Sequence, residues 1–185
     1  MAALNEPEDA WIRFAKKHKA ESHLQEPPLL GTDYYFKVIK SGDFQANFIW
    51  GVKTGFRSAG ITTATHFFFD LPYKGDYTLN IYDNNFMNRF MLFFSMKTER
   101  IGDNELDRRF VFSSNDMQLT KELLNELKPF VELIKRRVFS IKIIVEGRER
   151  DLSIQLTSLL NELDSIEAFY KAGSNLRDAI IPREG

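Results

Sequence analysis

The chain has 185 residues, of which 43% are hydrophobic, and this length and apolar content predict a single domain with a substantial core. Its formal net charge is -1, with 25 basic and 26 acidic residues interspersed, which excludes the strongly basic surface of a nucleic-acid-binding protein. Cysteine is absent, which excludes disulfides and thiolate chemistry and favours a reducing compartment, the cytoplasm.

The N-terminal segment predicts a helix that begins near Pro7, because proline and the following acids favour a first helical turn. The apolar stripe of this helix comprises Trp11, Phe14, Ala15 and His18. The helix is expected to stop before Pro27. The segment does not read as a signal peptide, and the densest apolar run, FMLFF at 90–94, is shorter than the roughly 20 residues of a transmembrane helix. We therefore predict a soluble chain with no transmembrane segment.

Between residues 32 and 97 the period of the apolar residues becomes two, which indicates strands. The segments YYFKVI, FQANFIW, ITTATHFFFD and DYTLNIYD, together with the alternating residues 90–96, predict about five strands. Their connections are too short for parallel crossovers, so we expect a mostly antiparallel meander.

After the loop TERIGDNELD, the segment RRFVFSS predicts a short strand with Phe110 and Phe112 on one face. Asn115 or Asp116 is expected to cap the helix that follows. The apolar stripe of that helix comprises Leu119, Leu123, Leu124, Leu127, Phe130, Val131 and Ile134. Pro129 lies within the stripe and predicts a kink or a break at that position.

The segments VFSIKIIV and RDLSIQL predict a second hairpin, and a helix beginning near Asp151 is the rival interpretation. In the last helix we expect an i,i+4 pair between Glu167 and Lys171, and a C-cap at Gly173. Its stripe comprises Leu159, Leu160, Leu163, Ile166, Phe169 and Tyr170. These signals predict one domain over residues 1–173 and a frayed tail over residues 174–185.

The order of elements predicts an α+β fold. We expect a mostly antiparallel sheet of about six to eight strands, on which an N-terminal helix, a long Pro-kinked helix and a C-terminal helix pack. No linker or repeat of fixed period divides the chain.

A cluster of charged residues at the start of the RRFVFSS strand is the main candidate for chemistry. It comprises Asp103, Glu105, Asp107, Arg108 and Arg109. Such carboxylates could bind a hard cation or transfer a proton if they converged with His66, which defines an enzyme alternative. The favoured interpretation is structural, with the acids paired to neighbouring arginines or backbone amides.

Other motifs for catalysis or metal binding fail in this sequence, so we assign no catalytic residue, no metal ligand and no cofactor. His18 and His23 are five residues apart, whereas a helical zinc pair needs i,i+4 spacing. GFRSAGIT at 55–62 resembles a phosphate-binding loop, but Ile61 replaces the required lysine and a strand follows instead of a helix.

Aromatic residues are abundant, with 17 phenylalanines, and predict either a large core or an apolar contact surface. The leading hypothesis is a non-catalytic binding or scaffold module that contacts a protein partner or forms a homo-oligomer. An apolar-ligand or lipid-binding domain is an alternative, with a cavity lined by Phe67, Phe69, Phe90 and Phe94. Peripheral membrane contact through KKHK at 16–19 and KRR at 135–137 is a weaker possibility.

The stretch IGDNELDRRFVFSSNDMQLTKELL resembles an uncharacterised prokaryotic domain family, a domain of unknown function. Its pattern is G-D-x-x-x-D-R-R-F at the start of a strand, then S-x-D and a Leu-rich helix. The matching positions are Gly102, Asp103, Asp107, Arg108, Arg109, Phe110, Ser113 or Ser114, Asp116 and Leu124. The resemblance implies a soluble domain of the kind often joined to membrane helices, and it implies no activity.

Overall fold

The computed structural model describes residues 5–25, 33–55, 58–71, 75–83, 100–134, 139–146, 149–158 and 160–180. The helices in these ranges are α1 (Asn5–His18), α2 (Asn104–Arg109), α3 (Met117–Glu122), α4 (Leu124–Ile134) and α5 (Leu163–Ile180). The strands are β1 (Glu21–Gln25), β2 (Asp33–Lys40), β3 (Phe44–Gly55), β4 (Ser58–Asp70), β5 (Tyr77–Asp83), β6 (Phe110–Ser114), β7 (Phe139–Glu146) and β8 (Glu149–Leu156).

The eight strands form one sheet in the order β1-β2-β3-β4-β8-β7-β5-β6, and every neighbouring pair is antiparallel. Alternating residues of seven strands face the core and are buried, which is the period-2 pattern of a sheet covered on one side. We call this the inner face; it includes Phe48, Phe67, Ile154, Ile141, Leu79 and Phe112. The α+β prediction, the strand number and the antiparallel pairing are confirmed.

Three helices cover the inner face side by side. Trp11 of α1 stacks on Phe48 of β3, with ring centroids 5.4 Å apart. The α5 backbone lies against the Phe69 ring of β4 at Gly173. Phe130 of α4 packs 5.7 Å from Phe139 of β7. The opposite side of the sheet, which we call the outer face, carries the alternate residues of the same strands.

The predicted meander is interrupted. Strands β2, β3 and β4 are consecutive neighbours, but the β7–β8 hairpin lies between β4 and β5. Three inter-strand spacings amount to about 14 Å. The seven residue steps from Asp70 to Tyr77 can extend about 23 Å, so a short connection does not require adjacent strands. The predicted strand at 90–96 lies outside the described residues, as does the side chain of Trp50.

The first helix ends at His18, earlier than predicted, and strand β1 follows it. Lys19 adopts a left-handed conformation with φ of 54°. The Ala20 amide donates to the Ala15 carbonyl at 2.9 Å and the Lys19 amide donates to the Lys16 carbonyl at 3.2 Å. These bonds form a Schellman motif, which turns the chain into the edge strand β1.

Replacing Lys19 by glycine is expected to raise the free energy of unfolding by about 0.5–1 kcal/mol, because glycine adopts a positive φ without steric strain. The control is Lys16→Gly, at a solvent-exposed position in the last turn of α1. Glycine there should lower the free energy of unfolding by about 0.5–1 kcal/mol. Urea unfolding of both variants measures the difference. Destabilisation by Lys19→Gly would contradict the cap.

The Leu-rich segment forms two helices, but the break is at Leu123 and not at Pro129. The Leu123 amide donates to the carbonyls of Leu119 and Thr120, both at 3.3 Å, which closes α3 tightly before α4 begins. Pro129 lies inside α4. Asp116 caps α3, as predicted. Strand β8 replaces the rival helix near Asp151, since Leu152, Ile154 and Leu156 alternate into the core.

The last helix does not stop at Gly173 but continues to Ile180, so the predicted tail from residue 174 is wrong at that boundary. Leu176 and Ile180 are buried and extend the apolar stripe by two turns. Gly173 is buried in the middle of the helix. A Cβ atom there would overlap the Phe69 ring and lie 3.0 Å from Ile154 Cδ1, so glycine allows the close approach of helix and sheet.

Hydrogen bonds fix the chain between β8 and α5 to two other elements. Thr65 Oγ1 of β4, which is buried, donates to the Ser158 carbonyl at 2.8 Å and accepts from the Leu160 amide at 3.2 Å. The indole Nε1 of Trp11 donates to the Leu160 carbonyl at 2.9 Å. These bonds satisfy buried backbone groups and join α1, β4 and the start of α5.

Among the described residues, no helix combines the length and apolar character needed to cross a bilayer.

Candidate functional site

The predicted charged cluster lies in a short segment that begins at Ile101 and leads through α2 into β6. Asp103 is the N-cap of α2, and its Oδ1 accepts from the amides of Glu105 at 3.0 Å and Leu106 at 3.2 Å. Its Oδ2 is 3.2 Å from Lys128 Nζ of α4. The Leu106 amide first, and Lys128 next, hold the pKa of Asp103 below its ordinary value, so the carboxylate stays ionised as a cap.

Asp107 binds the backbone that precedes the helix. Its carboxylate accepts from the Ile101 amide at 2.8 Å and the Gly102 amide at 3.1 Å. Gly102 has φ of 92°, a conformation that favours glycine, and this turn brings the two amides to the carboxylate. Asp103 and Asp107 therefore serve different backbone groups. Arg109 contacts Asp83 at the end of β5, with Nε 3.5 Å from Oδ1, and Glu105 is exposed.

The two arginines belong to α2 and not to the strand, because β6 begins at Phe110. Phe110 and Phe112 enter the core as predicted. Asp103 and Asp107 accept hydrogen bonds from backbone amides, which is one of the two arrangements expected from the sequence.

Replacing Asp107 by alanine is expected to lower the free energy of unfolding by about 1–2 kcal/mol, because the Ile101 and Gly102 amides lose their acceptor. Glu105→Ala, at an exposed position of the same helix, should change it by less than about 0.5 kcal/mol. Chemical denaturation of the two variants tests this difference. Equal effects would mean that Asp107 does not hold the turn.

The segment Ser114-Asn115-Asp116 forms a second junction of the same kind. Asp116 Oδ1 accepts from the amides of Gln118 and Leu119, both at 3.0 Å. Asn115 Oδ1 accepts from the Thr78 amide at 2.8 Å, and Ser114 Oγ donates to the Thr78 carbonyl at 2.9 Å. These bonds join the start of α3 to β5.

A buried tyrosine lies below this junction. Tyr77 OH is 3.0 Å from Oγ1 of Thr120, which in turn donates to the Asp116 carbonyl at 2.7 Å. Burial raises the pKa of Tyr77 to about 12, so the phenol stays protonated. Of the positions in the resemblance, Asp103 and Asp116 are helix caps in this structure and Phe110 belongs to the core.

The structure does not bring His66 to the charged cluster. His66 is on β4, and β6 is four strands away in the sheet, which corresponds to about 19 Å. Its neighbours in β4, Thr65 and Phe67, face the core, so His66 lies on the outer face. Among the residues that the structure describes, no group of three or more His, Asp or Glu side chains is placed to hold a metal ion. The convergence that the enzyme alternative requires is absent from this part of the chain.

Two rows of the outer face can be followed from β3 to β6; Lys37 of β2 continues the first row toward the sheet edge, and Asp70 and Asp151 lie opposite each other in a further row. One row, from β3 to β6, consists of Asn47, His66, Gln155, Ser140, Tyr82 and Val111. The next row consists of Gln45, Phe68, Ser153, Lys142, Asn80 and Ser113. Lys142 is the charged residue of these two rows. The first row has no charged residue from β3 to β6, whereas 28% of the whole chain is charged.

His66 lies in the middle of this surface. Its register partners are Asn47 on β3 and Gln155 on β8. Its Nε2 atom is buried and lacks a hydrogen-bond partner within the described ranges. Burial lowers the pKa of His66 from its ordinary 6.5, which favours the neutral imidazole near pH 7. An unpaired buried nitrogen costs free energy, and this atom lies beneath the surface of the chain.

A second polar cluster joins the β2–β3 turn to α5. Arg177 Nη1 forms a short contact with Asp43 Oδ1, and Lys40 Nζ lies 2.7 Å from Asp43 Oδ2. Burial alone would raise the pKa of Asp43, but hydrogen bonds from Lys40 and Arg177 outweigh it and leave that pKa below its ordinary 3.8. An adjacent cavity of about 620 Å³ is also lined by Asp70 and Arg150. Arg177 Nε also lies 2.9 Å from Asp178 Oδ1, so three basic and three acidic side chains balance each other and the cluster fastens α5 to the sheet.

The pKa of Asp43 is lower in the folded state than its ordinary value of 3.8, so the ion pair stabilises the fold fully at pH values above 3.8. This stabilisation is lost as the pH falls through the pKa of the folded state. Asp43→Asn is expected to lower the free energy of unfolding by about 1–3 kcal/mol near pH 6, and by less near pH 3. Asp70→Asn is the control at an exposed position nearby. Urea unfolding at both pH values measures the effect; a constant difference would contradict the pairing.

The remaining sequence predictions fall in different places. His18 binds Glu167 of α5, with Nε2 3.1 Å from both carboxylate oxygens, and Lys17 Nζ is 3.0 Å from Oε1. Glu167 therefore pairs with residues of α1, whereas the sequence predicts a pair between Glu167 and Lys171 within α5. His23 is on β1, away from that contact. Residues 135–137 lie outside the described residues, so the proximity of KKHK and KRR stays a prediction.

The predicted apolar cavity involves two residues of the packed core. Phe67 and Phe69 are fully buried, and their rings lie 6.3 Å apart on the inner face. Phe69 also contacts the α5 backbone at Gly173. Phe90 and Phe94 lie outside the described residues, so the ligand-carrier alternative stays a prediction.

Comparison with known proteins adds no functional assignment. No family model matches the chain, and no curated protein matches it. Among solved structures, the crystal structure of the mycobacterial trehalose monomycolate transport factor A, TtfA, is similar at 11% identity and a TM-score of 0.48. The alignment covers 96% of this chain and 95% of that chain. At this level of similarity we infer nothing about function from it.

Proposed function

We propose that this chain is a non-catalytic binding or scaffold module whose outer sheet face contacts a protein partner. The observation that carries the proposal is the row of uncharged side chains across five central strands, in which Tyr82 is half-buried; Phe68, also half-buried, lies in the next row. Depletion of charge and enrichment of aromatic residues characterise the centres of protein interfaces.

The charged cluster supports the same proposal, because two of its three carboxylates have structural partners. Asp103 and Asp107 accept hydrogen bonds from backbone amides, which leaves these groups occupied in the fold. We further propose that the positions of the family resemblance specify the α2–β6–α3 junction rather than a reactive site. With cysteine absent, the proposed compartment is the reducing cytoplasm; a prokaryotic source is proposed from the family resemblance alone.

Site-specific photo-crosslinking in cells tests the binding surface. A benzoylphenylalanine at Gln155, which is exposed on the outer face, is expected to form a crosslinked product of one defined mass. The matched control is the same group at Glu122, which is exposed on the helical side. The absence of any product from position 155, with the protein folded and expressed, would overturn the proposal.

A further inference from the structure

Strand β1 forms one end of the sheet and pairs with β2 on one side. In the part of the chain that the structure describes, no strand pairs with its other side, which we call the open edge. Alternate residues of a strand direct their amide and carbonyl groups to the same side, so part of the β1 backbone faces outward. A further strand could pair with these backbone groups.

The open edge of β1 lacks most of the features that protect sheet edges from pairing. Its register with β2 continues over five residue pairs, and the segment ESHLQ contains no proline and no lysine. Residues 21–24 are all exposed. At the opposite end of the sheet, the residues of β6 are buried or half-buried. The open edge of β1 is therefore the more accessible of the two edges.

Leu24 indicates which side chain an added strand should carry. It is 44% exposed and is the exposed large hydrophobic residue of the described part of the chain. The register places Leu24 beside Phe36, which lies beside Phe48, and both phenylalanines are buried on the inner face. A row of the apolar inner face thus ends at an exposed leucine. An apolar residue next to Leu24 would continue the row and bury its side chain.

Lysines near the open edge indicate the charge of the added strand. Lys16 and Lys19 lie at the end of α1 and just after it, and Lys37 is the register partner of His23. All three lysines are exposed, and none of them forms an ion pair with another described residue. Glu21, the acidic residue of β1, lies 3.4 Å from His23 Nε2. The excess positive charge favours an acidic segment.

We propose that the open edge of β1 binds an acidic, extended segment of a partner protein as an added antiparallel strand. An apolar residue of the segment contacts Leu24. Acidic residues in its C-terminal half lie near Lys16 and Lys19, because antiparallel pairing brings that half to the start of β1. Main-chain hydrogen bonds supply much of the affinity. Since β1 has only five residues, we expect a Kd on the order of 10–100 µM.

Selection of random linear nonapeptides, displayed on phage, against the purified full chain tests this inference. We expect the enriched peptides to have alternating apolar residues and acidic residues in the C-terminal half. A synthetic copy of an enriched peptide should shift the amide NMR signals of residues 21–24 and slow the hydrogen exchange of alternate amides there. No enrichment, or signal shifts confined to other strands, would overturn the proposal.

Variants test the two recognition elements, with Kd measured by fluorescence anisotropy of the labelled peptide. Leu24→Ser should raise the Kd at least about fivefold, because the apolar contact is lost. Lys16→Glu should raise it about threefold at low ionic strength, and should favour a peptide in which lysines replace the acids. The matched control is Lys121→Glu, an exposed position on α3 with the same change in net charge. Equal effects at positions 16 and 121 would contradict local recognition.

Two further measurements separate this inference from its alternatives. If the chain without peptide self-associates and Leu24→Ser abolishes that association, a second copy occupies the edge and the acidic segment is overturned. Circular dichroism shows whether each variant is folded. The crosslink expected from Gln155 should persist in Leu24→Ser, so a failure here leaves the proposed function of the outer face standing.

Discussion

Replacing Trp11 by alanine is expected to lower the free energy of unfolding by about 3–5 kcal/mol. Trp11 is fully buried, and its ring stacks on Phe48 at 5.4 Å and lies 5.7 Å from Phe67. Its Nε1 also donates to the Leu160 carbonyl. Truncation would leave a cavity between α1 and the sheet and an unpaired carbonyl before α5. Chemical denaturation followed by circular dichroism measures the loss.

Trp11→Phe separates the two contributions, because it keeps an aromatic ring but removes the indole donor. It should cost about 1–2 kcal/mol, the effect of one buried hydrogen bond and a smaller ring. Ile12→Ala, a partly buried position of the same helix, is the control for helix content. If Trp11→Ala cost less than about 1.5 kcal/mol, α1 would contribute little to the core, contrary to the stacking observed.

Gly173→Ala is expected to lower the free energy of unfolding by about 1–3 kcal/mol, although alanine favours helices by about 1 kcal/mol over glycine. The new methyl group would overlap the Phe69 ring and crowd Ile154 Cδ1, both in the packed inner face. Helix α5 would have to move away from the sheet. The expected loss is therefore the excess of the steric cost over the propensity gain.

The control for this prediction is Asn175→Ala, two residues further along α5 and exposed, which should be neutral or slightly stabilising. A double variant, Gly173→Ala with Phe69→Leu, should cost less than the sum of the single variants, because leucine leaves room for the methyl group. Additive effects in thermal or urea unfolding would contradict the proposed close contact.

The strands were predictable where burial on one side imposes a period of two. Leu152, Ile154 and Leu156 alternate with polar residues, and all three are buried in β8. Strand β1 was not predicted, because ESHLQ has no apolar alternation and pairs only at the sheet edge. The placement of the β7–β8 hairpin between β4 and β5 depends on contacts far apart in sequence, which local patterns do not report.

The end of the last helix shows how one signal can outweigh another. Glycine often ends a helix, and Gly173 was interpreted in that way. The stripe nevertheless continues through Leu176 and Ile180, which are buried. The glycine is required by the proximity of Phe69, a contact that depends on tertiary packing.

The charged cluster was predictable as a structural feature, because acids before a helix often cap it. The partners of the cluster could not be predicted in the same way, because Asp103 pairs with Lys128, which belongs to a later helix. The outer-face row is harder to predict from the sequence. Asn47, His66 and Gln155 are distant in the chain, and only the strand order and register align them. The signal that could have been used is the low charge at alternate strand positions.

Hydroxyl-radical footprinting of Phe68, Tyr82 and Met117, in cells and on the purified protein at high dilution, tests most directly whether the outer face is the binding surface. Phe68 and Tyr82 belong to the outer face, whereas Met117 is the first residue of α3, next to the cap Asp116. We expect Phe68 and Tyr82 to oxidise several-fold more slowly in cells, where the partner covers them, and Met117 to react equally in both states. Equal rates for Phe68 and Tyr82 in both states, with protection of Met117 in cells, would contradict the account.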